Sequence, residues 1–331
     1  MEINKMKKTS TIEKNAKIVN RYLNSKIKGD PKMLYDAASH LIIHGGKRLR
    51  PHMVMKSCQI LGGSTVIAMP AASAVEMIHN FTLVHDDIMD NDEMRHGVPT
   101  VHKKFGMPIA ILAGDVLFSK AYQIISNAKL SNDAIVQLVS RLAKACVDVC
   151  EGQLLDVKMA EEKRIPTQNE YITMIGKKTA ALFDVSCSMG AICATGNQKD
   201  ISNLSNFGKN LGIAFQITDD LIGVMGDSKI TKKPVGNDLR EGKKSLPILM
   251  AINLAKGEDK KVILKAFGNP KASKNELEKA VDVIRSLGIE EEVRMQALHY
   301  AEMAKKSLSN YSGTAKTELI DLLDFVVKRS V

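Results

Sequence analysis

The chain has 331 residues, 44% of them hydrophobic and 25% charged, which allows a large buried core and excludes a disordered or fibrous protein. A formal net charge of +10 implies an anionic partner, but the Lys and Arg residues are dispersed and aromatics reach only 4%, which argues against nucleic acid. Five Cys without a CxxC pair exclude a thiolate zinc or redox centre and fit a reducing, cytoplasmic compartment.

The N-terminal stretch MEINKMKKTSTIEKNAK lacks the apolar run of a signal peptide. No apolar run reaches the roughly 18 residues expected of a membrane span. Helical periodicity dominates and strand alternation is nearly absent. It predicts helices over 9–28, 31–44, 50–62, 66–90, 108–128, 130–162, 168–194, 198–225, 245–256, 274–287, 289–309 and 313–329. Pro31, Pro51, Pro70, Pro108, Pro166 and Pro247 stand near the starts, where a missing N–H costs little. Gly62, Gly63 and Gly196 mark stops. The least helical stretch, 225–245, is long and polar and follows an acidic pair, so it is expected to be a functional loop. No linker or fixed repeat divides the chain. The expectation is one all-α domain over residues 1–331.

The predicted helix 66–90 ends in HDDIMD. Asp86 and Asp90 are four apart and share a face, with Asp87 beside them. Val75, Ile78, Phe81 and Leu83 upstream are apolar, so the acids close a largely buried helix. Burying carboxylates is costly unless they are paired or bind metal. An EF-hand is excluded, because a loop begun at Asp90 puts Arg95 where Gly is needed. A second pair, Asp219 and Asp220, closes the apolar stretch FQITDD. Only the fold could unite the two clusters. United, they would suit a hard divalent cation. Magnesium fits best, since it keeps waters and bridges carboxylates to phosphates.

Basic residues suit the phosphate. In GGKRLRP, residues 45–51, Lys47 and Arg50 are three apart ahead of a helix; Arg binds phosphate bidentately and Lys as a point charge. A Walker loop is excluded, because Leu41 stands where its first Gly belongs and Arg48 where Ser or Thr belongs. Arg95, Lys177, Lys178 beside Thr179, Lys233, Lys243 and Lys244 add further cations. With the acid pairs they outline a site for more than one phosphorylated group.

GGKRLRP, DDIMD with RHG after it, GQLLD at 152–156, KKTAALF at 177–183, FQITDD and KPVGNDLREGKKS at 233–245 follow one another along the chain. In this order they resemble the motifs of the trans-isoprenyl diphosphate synthases. The resemblance runs from about Gly45 to Lys244 and is nearest to archaeal-type geranylgeranyl diphosphate synthases. It implies an all-helical bundle around a deep central cavity, in a homodimer. It implies that Asp86, Asp87, Asp90, Asp219 and Asp220 surround three magnesium ions, with Asp86, Asp87, Asp90 and Asp219 as ligands. Arg95, Lys178 and Lys233 would help to hold the diphosphate of an allylic substrate, with Thr179 and Gln216 lining the same region. Lys47, Arg50 and His79 would hold isopentenyl diphosphate. The allylic substrates would be dimethylallyl, geranyl and farnesyl diphosphates. The basic surface is compatible with peripheral membrane contact for product release.

Two positions depart from the family's common pattern. His96 stands where a second arginine usually helps to hold isopentenyl diphosphate, which leaves affinity or its pH dependence open. Gly223 ends the second motif where many members have Asp; this form resembles the archaeal-type enzymes. Phe81 is five positions before Asp86 and Thr82 four before. A bulky fifth residue with a small fourth resembles synthases that stop at the twenty-carbon product. The alternatives are a farnesyl diphosphate synthase, if residues such as Ala74, Met77 and Ile78 overrule Phe81, or a non-catalytic regulatory subunit of a heteromeric synthase. A lyase with an NDxxSxxxE motif fits poorly, because NDLREGKKS puts Glu241 at the Ser position and Ser245 at the Glu position.

Overall fold

The structure, a computed structural model, describes residues 2–162, 164–194, 197–226 and 235–328, with side chains from residue 11 onward. Gly196, Lys233 and part of the expected 225–245 loop lie outside the described residues. The fold is all-α. In chain order the helices are α1 (Glu2–Lys26), α2 (Lys32–His44), α3 (Leu49–Gln59) and α4 (Thr65–Met89). A two-stranded ribbon follows, β1 (Met94–Arg95) and β2 (Val98–Pro99). Then come α5 (Val101–Phe105), α6 (Met107–Ser126), α7 (Asn132–Glu161) and α8 (Gln168–Ile175). A π-helical turn, Gly176–Ala180, separates α8 from α9 (Ala181–Ala194). The remainder is α10 (Gln198–Met225), α11 (Asn237–Arg240), α12 (Leu246–Leu254), α13 (Gly257–Ala266), α14 (Lys274–Ser286), α15 (Ile289–Ser307) and α16 (Thr314–Lys328).

The chain forms two compact units. The first comprises Met1–Cys146, Leu182–Ser205 and Asn310–Leu319; the second comprises Val147–Ala181, Asn206–Ser309 and Ile320–Val331.

In the first unit, α4 packs against α3 and α6. Ala68, Ala71, Ala72 and Ala74 are fully buried, and such small side chains let neighbouring helices approach closely. Ser64 caps α4, its hydroxyl accepting from the Ile67 N–H at 3.3 Å; such a cap stabilises a helix by about 1 kcal/mol. Arg48, with left-handed backbone at φ 53°, turns the chain into α3. Its guanidinium is buried on Glu76 at 2.7 Å, both side chains being 3% exposed. It also donates to Asn20 Oδ1 and to the Ile42 carbonyl. Removing one partner of such a pair typically costs about 3–5 kcal/mol. The pair therefore ties the GGKRLRP segment to α4.

The second unit has its own core, which includes Tyr171, Ile217, Leu221, Leu239, Leu249 and Ile284. Burying an apolar side chain of this size contributes roughly 1.5–3 kcal/mol. Thr167 and Glu170 form a capping box that starts α8. Gly152 on α7 faces the π turn so closely that a Cβ there would lie 2.2 Å from the Lys178 backbone nitrogen. The absence of a side chain is what lets α7 reach the KKTA segment.

Several elements differ from the sequence reading. The N-terminal helix begins at Glu2 instead of residue 9. The predicted helix 168–194 is interrupted by the π turn at Gly176–Ala180. Helices α5, α11 and α13 are absent from the sequence prediction; α5 and α11, with five and four residues, are too short to show a period. The ribbon pairs Met94 with Pro99 and Arg95 with Val98. Its two turn residues, His96 and Gly97, both have positive φ, 54° and 78°, as a tight hairpin requires. By length and composition α4 and α6 are both apolar enough to cross a membrane. Glu76, His79 and Asn80 interrupt the apolar run of α4, and Asp115 and Lys120 that of α6, so neither holds an unbroken apolar run of membrane length. The two helices pack on each other, as core helices do.

Candidate active site

The first acidic motif lies in the last turn of α4. Asp86 is half-buried, Asp87 is 0% exposed, and Asp90 caps the helix in the open. No basic residue stands in that turn. The C-terminal end of a helix carries the negative pole of its dipole, so three carboxylates there gain nothing from the helix and favour a cation. The ribbon brings Arg95 back to Asp87, Nε donating to Oδ1 at 2.5 Å, with Nη2 at 3.5 Å from Asp92 Oδ2. Burial pushes the Asp87 carboxyl above its ordinary range, and Arg95 opposes this. Its second oxygen, Oδ2, is buried without a hydrogen-bond partner.

The GGKRLRP group lies in the same unit. Lys47 is exposed and Arg50 is half-buried on α3. Arg50 Nη1 donates to His79 Nε2 at 3.2 Å, and the guanidinium lies over the Phe183 ring, 4.6 Å from its centroid. Burial pulls Arg50 down to about 10, still far above neutral pH, so it remains a cation. Burial, then Arg50, holds His79 well below the usual imidazole range. His79 is therefore neutral, and with Nε2 accepting, its proton sits on Nδ1. His96 is exposed and rests against Gly45, where a Cβ would lie 2.7 Å from its Cγ. Burial, Arg95 and Arg48 lower its pKa. The structure thus brings Arg50 to His79, Arg95 to Asp87, and His96 to the GGKRLRP turn.

Phe81 packs edge-on against His85, with centroids 4.6 Å apart, and against Phe118 of α6, 5.4 Å away. Phe118 in turn meets Tyr122 at 5.0 Å. Thr82 directs its hydroxyl to the His79 carbonyl at 2.8 Å. Gly114 of α6 faces this row; a Cβ there would lie 2.4 Å from His85 Nε2. Ala74, Met77 and Ile78 are fully buried.

In the second unit, Lys178 of the π turn donates to Asp156 of GQLLD at 2.5 Å. Thr179 donates to Gln216 Oε1 at 2.9 Å, and Gln216 donates to Asp220 Oδ1 at 2.9 Å. Asp220 is buried. Its Oδ2 accepts from Tyr171 at 2.6 Å, and its Oδ1 accepts also from Lys243 at 3.0 Å. Asp219, one position earlier, is half-buried. Sequence reasoning missed Tyr171, Asp156 and Asp238, the last being 3.3 Å from Lys243. The clues were available: GQLLD ends in Asp156, and Asp238 lies inside NDLREGKKS. Lys244, a cation in the sequence reading, instead donates to the carbonyls of Met159, Glu162 and Arg164.

Among the described residues, no three His, Cys, Asp or Glu side chains are grouped closely enough to hold a metal ion unaided. The donor set nevertheless suits magnesium. That ion takes oxygen ligands, keeps several waters and leans on substrate phosphates, so it needs no all-protein cage. Asp87 Oδ2, buried without a hydrogen-bond partner, is an oxygen of the kind such a cation takes.

A profile of the polyprenyl synthetase family matches residues 31–284. The geranylgeranyl diphosphate synthase of Sulfolobus acidocaldarius is 41% identical over 315 residues, covering 94% of this chain and 95% of that protein. The geranylfarnesyl diphosphate synthase of Aeropyrum pernix is 36% identical, covering 94% and 99%. The crystal structure of geranylgeranyl pyrophosphate synthetase from Pyrococcus horikoshii superposes with a TM-score of 0.93 at 38% identity, covering 98% and 99%. A polyprenyl synthase from Caulobacter crescentus, complexed with calcium and isoprenyl diphosphate, superposes with a TM-score of 0.85 at 30% identity, covering 98% and 97%.

Proposed function

Because the chain belongs to the polyprenyl synthetase family, and is a prenyltransferase, we propose that it condenses isopentenyl diphosphate with allylic diphosphates and stops at geranylgeranyl diphosphate. The observation that carries the site reading is Asp87: wholly buried, at the negative end of α4, with one oxygen unpaired. Three magnesium ions would be held through Asp86, Asp87, Asp90 and Asp219, while Asp220 is itself held by Tyr171, Gln216 and Lys243. When bound, they would neutralise charge on the diphosphate that leaves.

The chain's own residues have these roles in the proposal. Arg95 and Lys178 supply cations to the allylic diphosphate, Lys233 joins them from outside the described residues, and Thr179 orients Gln216. The allylic carbon–oxygen bond breaks, and its electron pair leaves with the diphosphate. Lys47, Arg50 and neutral His79 hold isopentenyl diphosphate, whose double bond attacks the allylic cation. His96 stands beside them against Gly45. A proton then leaves the adjoining carbon, with the released diphosphate as its base. No protein nucleophile is needed. Apolar side chains around Phe81 exclude water that would quench the cation.

The resemblance to geranylgeranyl synthases supports the twenty-carbon product, and so does the aromatic row behind Phe81, with Thr82 one position on. Exposed Met107, Ile111 and Leu112 on α6 support a homodimer. A family match that runs through both units supports reading the chain as one domain. Five cysteines without a CxxC pair support a cytoplasmic setting. Peripheral membrane contact during product release belongs to the same proposal.

The test is a product assay with magnesium, isopentenyl diphosphate and each of dimethylallyl, geranyl and farnesyl diphosphates. A twenty-carbon product, abolished by chelator, is expected. A fifteen- or twenty-five-carbon product would overturn the length assignment alone. No product from any starter would point to a regulatory subunit.

A further inference from the structure

Gly223 lies near the C-terminal end of α10, one helical turn beyond Asp219 and Asp220. Gly inside a helix costs about 1 kcal/mol relative to Ala, so a packing reason is expected. The structure supplies one. A Cβ built at 223 would lie 2.2 Å from Asp238 Oδ2, 2.6 Å from its Cγ and 2.9 Å from Oδ1. The Asp238 carboxylate thus occupies the place where a side chain at 223 would begin. Asp238 is 5% exposed. It sits in α11, which is fastened to α10 by the Gly236 N–H donating to the Val224 carbonyl at 3.2 Å. Lys243 joins the two acids, its Nζ 3.0 Å from Asp220 Oδ1 and 3.3 Å from Asp238 Oδ2.

We propose that Asp238 is the third carboxylate of the second acidic motif: it takes the place that a side chain at 223 would fill and positions Lys243 against Asp220. The proposal rests on the prenyltransferase reading. Its electrostatic content is simple. Asp220, Asp238 and Lys243 together carry one negative charge. Without Asp238, Lys243 would close on Asp220 alone, and the three positions would carry none. The α10 face that presents Asp219 would then attract cations less. A side chain at 223 and the carboxylate of Asp238 are mutually exclusive in this geometry, so the glycine and the acid form one device. Asp238 acts through Lys243 and Asp220 and is a positioning residue.

The test uses the full chain with manganese as a paramagnetic stand-in for magnesium and inorganic diphosphate as the probe. Binding is read by electron paramagnetic resonance, beside steady-state kinetics and a melting curve for each variant. Asp238→Asn, which keeps size and removes charge, is expected to weaken manganese–diphosphate binding by about tenfold or more. It should raise KM for the allylic diphosphate and leave KM for isopentenyl diphosphate unchanged. Gly223→Ala, which displaces the carboxylate without removing it, should give the same pattern and serves if Asp238→Asn does not fold. Gly223→Asp alone should lose binding, and Gly223→Asp with Asp238→Gly should recover it. Wild-type binding in Asp238→Asn, or a double variant no better than Gly223→Asp, would overturn the proposal. If the wild type makes no product from any starter while Asp238→Asn still loses manganese, the prenyltransferase reading fails and the role of Asp238 stands.

Discussion

Arg50 donates to Nε2 of His79 at 3.2 Å, while Nδ1 of the same ring is buried with no partner. The arginine thereby fixes the tautomer and leaves a donor on the far side of the imidazole. An unpaired buried donor costs about 1–3 kcal/mol, an expense that an anionic ligand would remove. His79→Ala and Arg50→Lys should each raise KM for isopentenyl diphosphate by about tenfold, roughly 1.4 kcal/mol. Lysine cannot reproduce the guanidinium fork or its stacking on Phe183. Kinetics with each substrate varied in turn would check this. Equal increases for both substrates would remove the assignment of this pair to one of them.

Phe81 is backed by Phe118 across the contact between α4 and α6. On the proposed reading Phe81 is the floor for the growing chain, and its aromatic pair with Phe118, 5.4 Å between centroids, would give that floor a rigid support. Phe81→Ala should shift products beyond twenty carbons. Phe118→Ala should broaden the distribution, because Phe81 would then lose its support. Chromatography of dephosphorylated products reads both. Unchanged chain length in both variants would make Phe81 a core residue only.

The all-helical fold and both acid pairs were legible because they rest on local rules. Asp86 and Asp90 share a face through helical spacing alone, and apolar residues before them mark α4 as buried. What the sequence hid depends on contacts distant along the chain. Tyr171 and Asp220 are 49 positions apart, and nothing local pairs them. The ribbon escaped because two residues per strand give no alternation to read, and its turn is marked only by His96 and Gly97. The π turn escaped because its residues fit helical periodicity equally well; it lies where α7 brings Gly152 close to the Lys178 backbone. Gly223 read as a departure from a motif, and only the position of Asp238 explains it.

Gly152 should not tolerate a side chain. Its Cβ would meet the Lys178 nitrogen at 2.2 Å and the Lys178 Cα at 2.6 Å, both backbone atoms that cannot swing aside. Gly152→Ala should destabilise the chain by about 1–3 kcal/mol. It should also lower kcat, because Lys178 and Thr179 would shift together. Urea unfolding and steady-state kinetics would show both effects. Loss of stability with kcat intact would mean that the π turn is structural packing alone.

His52 sets an acid limit on stability. It is 1% exposed and shares a hydrogen bond with Asn15 Nδ2 at 3.0 Å, which ties α1 to α3. Burial, with Lys56 adding to it, lowers its pKa to about 4, against about 6.5 in an unfolded chain. The unfolded state therefore takes up this proton first. The neutral imidazole contributes its full share of stability above about pH 6.5, and that share is lost as pH falls through the window down to about 4. The loss over the window is about 3 kcal/mol for this group. Replacing His52 with Asn removes the titration. The expected result is a lower melting temperature than wild type at pH 7 and a smaller further fall between pH 6.5 and 4.5. Parallel declines in both proteins across that window would show that other groups govern the acid limb.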